Sequence, residues 1–138
     1  MQLKNKTKKG YKLKKMNDAT YQLRRRVINI IYELNNFLKA KKCERLPRIE
    51  VRIIEEHKCD HRVGGYAYIG KQIIHIPERS VHLSNATLLR IVIHEVLHGI
   101  GFEHDNNCHI MHPGWSELVK NNLQTEKLFA TFLTYINK

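Results

Sequence analysis

This chain of 138 residues has few cysteines and no long apolar run. Its three cysteines, Cys43, Cys59 and Cys108, are too few to form a disulfide framework, so we expect a reducing compartment with one disulfide bond at most. No stretch approaches the roughly 20 apolar residues that a membrane span requires. The lysine-rich start is not followed by an apolar segment of signal-peptide length. These absences predict a cytoplasmic protein without a membrane span, and leave open secretion by a leaderless route or from a trimmed precursor.

Acidic residues are missing from the start of the chain. Lys and Arg number 24 against 13 Asp and Glu, a formal net charge of +11, and seven of the lysines fall in the first 15 residues, where no acid occurs. Residues 1–16 are therefore predicted to be a flexible basic arm. Two roles are open for this arm, weak electrostatic contact with nucleic acid and simple solubilisation. A lysine run carries no base-reading groups, which favours solubilisation.

Residues 17–138 are enough for one domain with an apolar core and too few for two. Apolar periodicity and turn residues place the helices and strands within this domain. The predicted elements are a helix from residue 17 or 18 to about 41, strands at 49–54, 66–69 and 72–76, a helix capped by Ser84 or Asn85, and a last helix from Trp115 to Asn137. The helix after Ser84 is apolar on nearly all sides, which predicts that it lies in the interior.

The stretch HEVLHGIGFEHD, which begins at His94, has a spacing that suits a metal ion. Four residues apart on a helix, His94 and His98 lie on one face, so both imidazoles can reach the same ion. Glu95 lies about 100° further round the helix, where it can take a proton from a water molecule on the metal. Gly101 suits a left-handed turn that ends the helix and brings His104 back as a third ligand. Three neutral ligands and an open fourth position predict one catalytic zinc ion.

Met111 follows His104 after seven residues, within the segment CHIMHP. The histidine motif followed by this methionine resembles the metzincin metallopeptidases. The resemblance implies an α+β zincin fold, a small mixed sheet with a backing helix, an active-site helix and a C-terminal helix. It assigns the three histidines as zinc ligands, Glu95 as the general base, Gly101 as the turn glycine and Met111 as the turn methionine that packs beneath the ligands.

The same resemblance implies a zinc-dependent endopeptidase that acts as a monomer on polypeptides. An upper subdomain, residues 17–104, would hold the sheet and the active-site helix, and a lower one, residues 105–138, the methionine turn and the last helix. The strand near Gln72–Ile76 would be the sheet edge along which an extended peptide lies. The short gap before the methionine is similar to the matrixin branch, whereas Asp105 is more like the adamalysin branch, so the subfamily stays open.

Other arrangements of the same residues lead to different functions. In one, Asp105, Cys108 or His109 supplies a fourth ligand and the zinc is structural. A structural site gives no reason for a glutamate directly after the first ligand, which favours hydrolysis. In another, the basic arm tethers the protease to nucleic acid.

A second set of potential ligands lies between two predicted strands. His57, Cys59 and His61 would bind a second, structural metal ion or belong to a polar loop. Their spacing is not that of a familiar metal site, which favours the polar loop.

Overall fold

The computed structural model of the protein describes residues 18–55 and 64–138. These residues form an α+β fold. Its elements are α1 (Asp18–Ala40), β1 (Glu50–Ile54), β2 (Tyr66–Ala67), β3 (Ile73–Pro77), a 3-10 helix (Glu78–His82), α2 (Asn85–Gly99), α3 (Glu117–Lys120) and α4 (Thr125–Ile136). The basic arm and the set His57, Cys59 and His61 lie outside the described residues, so what the sequence predicts for them stays a prediction.

The three strands form one mixed sheet in the order β1-β3-β2. Strand β3 runs parallel to β1, with Ile74 opposite Val51, and antiparallel to β2, with Ile74 opposite Ala67. The prediction that Gln72–Ile76 is a sheet edge is therefore wrong, because β3 is the central strand. Strand β2 precedes β3 in the sequence and pairs with the side of β3 that faces away from β1. The residue pattern within one strand does not show which strands pair on its two sides.

Helix α2 occupies the interior, as its apolar composition predicts. Every residue from Leu88 to Gly99 is buried. The helix begins where expected, because the side chain of Ser84 accepts a hydrogen bond from the backbone N–H of Thr87. Helix α1 backs the sheet and contacts α2 through a buried apolar stripe, formed by Leu23, Val27, Leu34 and Leu38. Among residues 18–55 and 64–138, no helix is long and apolar enough to cross a bilayer.

The C-terminal part differs from its prediction. One helix was expected from Trp115 to Asn137, but the structure has two, α3 and α4, separated by a turn. Ser116 caps α3 through its hydroxyl, and the side chain of Asn122 donates back to the carbonyl of Leu118. Asparagine side chains compete in this way with the helical backbone, which explains why α3 stops after four residues.

Two backbone hydrogen bonds tie the turn before β3 to the end of α2. The N–H of Gly70 donates to the carbonyl of His98 at 2.9 Å, and the N–H of Gln72 donates to the carbonyl of Gly99 at 3.3 Å. Gly70 has a φ of +80°, a conformation that glycine adopts without steric cost. The sheet and the C-terminal end of α2 are therefore joined directly.

Candidate metal centre

The three histidines of the motif come together at the C-terminal end of α2. One ring nitrogen from each of His94, His98 and His104 lies within 4.8 Å of the others. His94 and His98 are buried, whereas His104 is exposed. The structure therefore brings together all three ligands that the sequence predicts.

Each of the two buried histidines is oriented by a backbone carbonyl. The Nδ1 of His94 lies 2.7 Å from the carbonyl oxygen of Ile110, and the Nδ1 of His98 lies 2.7 Å from that of Phe102. A carbonyl oxygen only accepts, so each Nδ1 carries the hydrogen and donates it. Each Nε2 is then left with a free lone pair, and these two Nε2 atoms are 3.2 Å apart. Nδ1–H to carbonyl bonds of this kind set the tautomer of metal-binding histidines.

A zinc ion fits this arrangement. Two lone pairs that face each other repel unless a cation lies between them, and two nitrogens on a tetrahedral zinc ion are about 3.4 Å apart, from the usual Zn–N distance. Burial lowers the pKa of His94 to about 3 and also lowers the pKa of His104. Both imidazoles are therefore held neutral, the form that binds metal.

Glu95 lies beside the cluster and is not one of its members. Its side chain is almost fully buried, and its Oε1 has no hydrogen-bond partner among the described residues. Burial raises the pKa of Glu95 to about 8, and the positive charge of Arg90 opposes this rise. A buried carboxyl oxygen without a hydrogen-bond partner is costly. Its presence here indicates that a bound ligand supplies the missing partner.

The backbone at Gly65 passes close to the side chain of Glu95, and the lack of a side chain at Gly65 leaves the space that Glu95 occupies. A Cβ on Gly65 would lie 3.3 Å from Oε2 of Glu95 and 2.9 Å from the carbonyl oxygen of His75. Real Cβ atoms do not come so near a carbonyl oxygen, and only glycine fits here without displacement of its neighbours. From the sequence, Gly65 is predicted only to interrupt the chain between strands.

The turn after α2 has the form that the motif predicts. Gly101 has a φ of +117°, and its N–H donates to the carbonyl of His98 at 3.0 Å. The next N–H, of Phe102, reaches back to the carbonyl of Leu97 at 2.9 Å. This pair of bonds is the Schellman pattern that ends helices at a glycine. It reverses the chain and returns His104 to the end of the helix.

The segment around Met111, predicted to be a methionine turn, is held against α2 by Arg90. Met111 is fully buried. The guanidinium of Arg90 donates to the carbonyl oxygen of His109 through Nε and Nη2, at 3.3 and 3.2 Å, and to that of His112 through Nη2, at 2.8 Å. These two carbonyls lie on either side of Met111. The sequence predicts no role for Arg90, although the only positive charge in an apolar helix is a signal that it has one.

The residues considered as a fourth ligand lie outside the histidine cluster. Within the described residues, the group that could hold a metal ion consists of the three histidines alone. The carboxylate of Asp105 accepts hydrogen bonds from the N–H of Asn107 at 2.9 Å and from the hydroxyl of Tyr135 at 3.4 Å. His109 bonds to the hydroxyl of Thr131 at 2.9 Å. Cys108 is a free thiol outside the group.

A cavity of about 270 Å³ opens onto the cluster. Residues 64–67, which include the edge strand β2, line one side, and α2 lines the other, with Arg90, Ile91 and Glu95 among its residues. The three histidines and Pro113 complete the lining. The cavity thus brings together an edge strand of the described sheet, a buried carboxyl and the histidine cluster.

Comparison with models of known protein families, with curated proteins and with solved structures finds no match for this chain. The resemblance to metzincins therefore remains a prediction from the motif.

Proposed function

We propose that this chain is a zinc-dependent endopeptidase of the metzincin type. The observation that carries the proposal is the pairing of a three-histidine cluster with Glu95. The cluster offers three neutral nitrogen donors, and Glu95 presents a buried oxygen without a partner in the same cavity. A site that held zinc only for structure would gain nothing from that costly carboxyl.

Zinc in this site would supply two things, a lower pKa for a water molecule and polarisation of the scissile carbonyl. Side chains and backbone carbonyls of the protein carry out proton transfer and hold the ligands in position. The positive charges of Arg90 and of a bound zinc ion would favour the ionised form of Glu95, so its Oε1 can take a proton from the attacking water as the water oxygen bonds to the carbonyl carbon. Glu95 then gives a proton to the leaving nitrogen as the C–N bond breaks. The two carbonyls that hold His94 and His98 keep the donor nitrogens in place throughout.

The substrate is proposed to lie along β2 and not along β3. Strand β2 is an edge of the sheet that residues 18–55 and 64–138 form, and residues 64–67 line the cavity. An extended peptide adds to such an edge through backbone hydrogen bonds. The scissile bond then passes over Glu95 and the histidines. This revision follows from the strand order, which leaves β3 without a free edge.

The test is a comparison of three full-length proteins, the wild type, Glu95→Gln and His104→Ala. Zinc content is measured on each, together with cleavage of a proteome-derived peptide library with and without chelator. We expect near-stoichiometric zinc in the wild type and in Glu95→Gln, with loss of most zinc in His104→Ala. Cleavage should fall by about 100-fold or more in Glu95→Gln, the usual contribution of a general base. Wild-type cleavage by Glu95→Gln would show that the base lies elsewhere.

A further inference from the structure

Arg90 carries a buried positive charge that forms no ion pair with a carboxylate among the described residues, although it interacts through space with Glu95. Its side chain is 7% exposed. All three of its hydrogen bonds go to the backbone carbonyls of His109 and His112. Those bonds use Nε and Nη2, and Nη1 has no hydrogen-bond partner within residues 18–55 and 64–138. Neutral carbonyls offset only part of the cost of burying a cation, so the guanidinium retains capacity for an anion.

Arg90 lies on the wall of the cavity. Arg90 lines the cavity together with Glu95, which is the only acidic residue that the described part of the chain contributes to the lining. With a divalent zinc ion in place, positive charge exceeds negative charge in this space. The N–H groups of Nη1 remain free to donate to a carboxylate, and hydrogen bonds between charged partners are roughly twice as strong as neutral ones.

The position of Arg90 relates it to a particular part of a bound peptide. Arg90 precedes His94 by four residues, which is about 6 Å along the helix axis. An extended peptide advances about 3.3 Å per residue. A substrate group that reaches Arg90 therefore belongs to a residue within about two positions of the bond under attack.

We propose that this cavity recognises a carboxylate on the substrate and that Arg90 pairs with it. The inference rests on the proposed function for the meaning of substrate. Two sources supply the same chemistry, an Asp or Glu side chain near the scissile bond and the free C-terminal carboxylate of a short peptide. Both are anions that a guanidinium beside the cluster selects over neutral groups.

A tryptophan lies next to this site, and its fluorescence can report ligand binding there. The ring of Trp115 is 5.8 Å from the guanidinium carbon of Arg90, and it is the only tryptophan of the sequence. Its side chain is half exposed. Intrinsic fluorescence therefore reports the state of the Arg90 site without a label.

The first test measures binding to full-length, zinc-loaded Glu95→Gln protein by Trp115 fluorescence. The probes are two pairs of compounds, N-acetylglutamate amide with N-acetylglutamine amide, and N-acetylalanine with its amide. The first pair tests an acidic side chain and the second a free C-terminus. We expect the acid of at least one pair to bind about tenfold more tightly than its neutral partner, the effect of a charge-assisted hydrogen bond.

Three variants, each made in the Glu95→Gln protein, separate recognition from general attraction to a basic chain. Arg90→Gln should abolish the preference for the acid, and Arg90→Lys, which keeps the charge, should retain part of it. The exposed Arg25→Gln, which removes the same charge on α1, should leave the preference unchanged. If Arg90 only fastens the methionine turn, Lys and Gln would behave alike. Equal binding of acid and neutral probes to the parent protein, or a preference that survives Arg90→Gln, overturns the proposal.

The second test maps cleavage sites in a random peptide library with wild-type protein, Arg90→Gln and Arg90→Lys. We expect Asp, Glu or the C-terminus to be enriched within two positions of the cleaved bond for the wild type and for Arg90→Lys, but not for Arg90→Gln. Cleavage without such enrichment overturns the inference and leaves the proposed function standing. If no peptide is cleaved at all, the proposed function fails, and the binding measurement still decides the inference.

Discussion

The two buried histidines and the exposed one reach the cluster in different ways. His94 and His98 project from the interior helix α2, and each is held by a hydrogen bond from Nδ1 to a carbonyl. His104 follows the glycine turn, is exposed, and has no such bond among the described residues. Folding of the chain therefore fixes the positions of the ligand nitrogens of His94 and His98 without a metal ion. The third depends on the geometry of a short turn.

This difference separates the stability of the fold from the affinity for metal. The buried pair belongs to the core, so a change there acts on both properties. His104 belongs to the surface, so a change there acts on the metal alone. Three sets of variants test this division, and they follow in order of expected effect.

The largest effects on zinc affinity and stability are expected in a comparison of His94→Ala with His104→Ala. Each removes a ligand, so zinc affinity should fall by more than the roughly 100-fold that loss of an outer-shell partner causes. Only His94→Ala leaves the carbonyl of Ile110 buried without a donor, which costs about 1–3 kcal/mol. Zinc competition titrations and denaturant unfolding in chelator measure the two effects. Equal destabilisation of the metal-free protein by both substitutions would refute the division.

A smaller effect is expected from Gly65→Ala, with the neighbouring Gly64→Ala as its control. The new methyl group at Gly65 would press on the carbonyl of His75 and on Glu95, at a cost of about 1–3 kcal/mol for overpacking. At Gly64 the nearest atom is 3.5 Å away, which is ordinary contact. Thermal unfolding and peptide cleavage should therefore be impaired in the first variant and near normal in the second. If Gly65→Ala changes neither thermal unfolding nor cleavage, the residues around Glu95 can shift to accept the methyl group at little cost, which contradicts this prediction.

The smallest effect on stability is expected from Gly101→Ala compared with Gly70→Ala. Both glycines have positive φ, at +117° and +80°, and a Cβ at either would meet nothing within 4 Å. Backbone strain should therefore destabilise both variants similarly, by about 1–2 kcal/mol. Only Gly101 lies between two ligands, so only its substitution should weaken zinc binding, as measured by competition with a chelator. A matching loss of zinc affinity in Gly70→Ala would show that strain acts globally.

Local parts of the site could be predicted from the sequence. The spacing of His94 and His98 on one helical face, and the turn at Gly101, depend only on residues within a few positions of one another. The cap at Ser84 and the burial of α2 follow equally from local pattern, and the structure confirms them. Helical geometry is the same wherever the helix lies, so these inferences needed no knowledge of the fold.

Parts that depend on distant contacts could not be predicted in this way. The central place of β3 is set by β1 and β2 pairing on its two sides, and no residue within Ile73–Pro77 encodes that. The carbonyls that hold Arg90 lie 19 and 22 residues further along the chain. The burial of the Glu95 carboxyl likewise results from packing, since Gly65, which directly precedes β2, lies beside its Oε2.

The two hydrogen bonds from Gly70 and Gln72 to the last carbonyls of α2 also give a way to observe how firmly the sheet holds the helix. The amide protons of these bonds exchange with solvent only when the bonds open. Their hydrogen-exchange rates therefore report how often the turn before β3 separates from the end of α2 that carries His98.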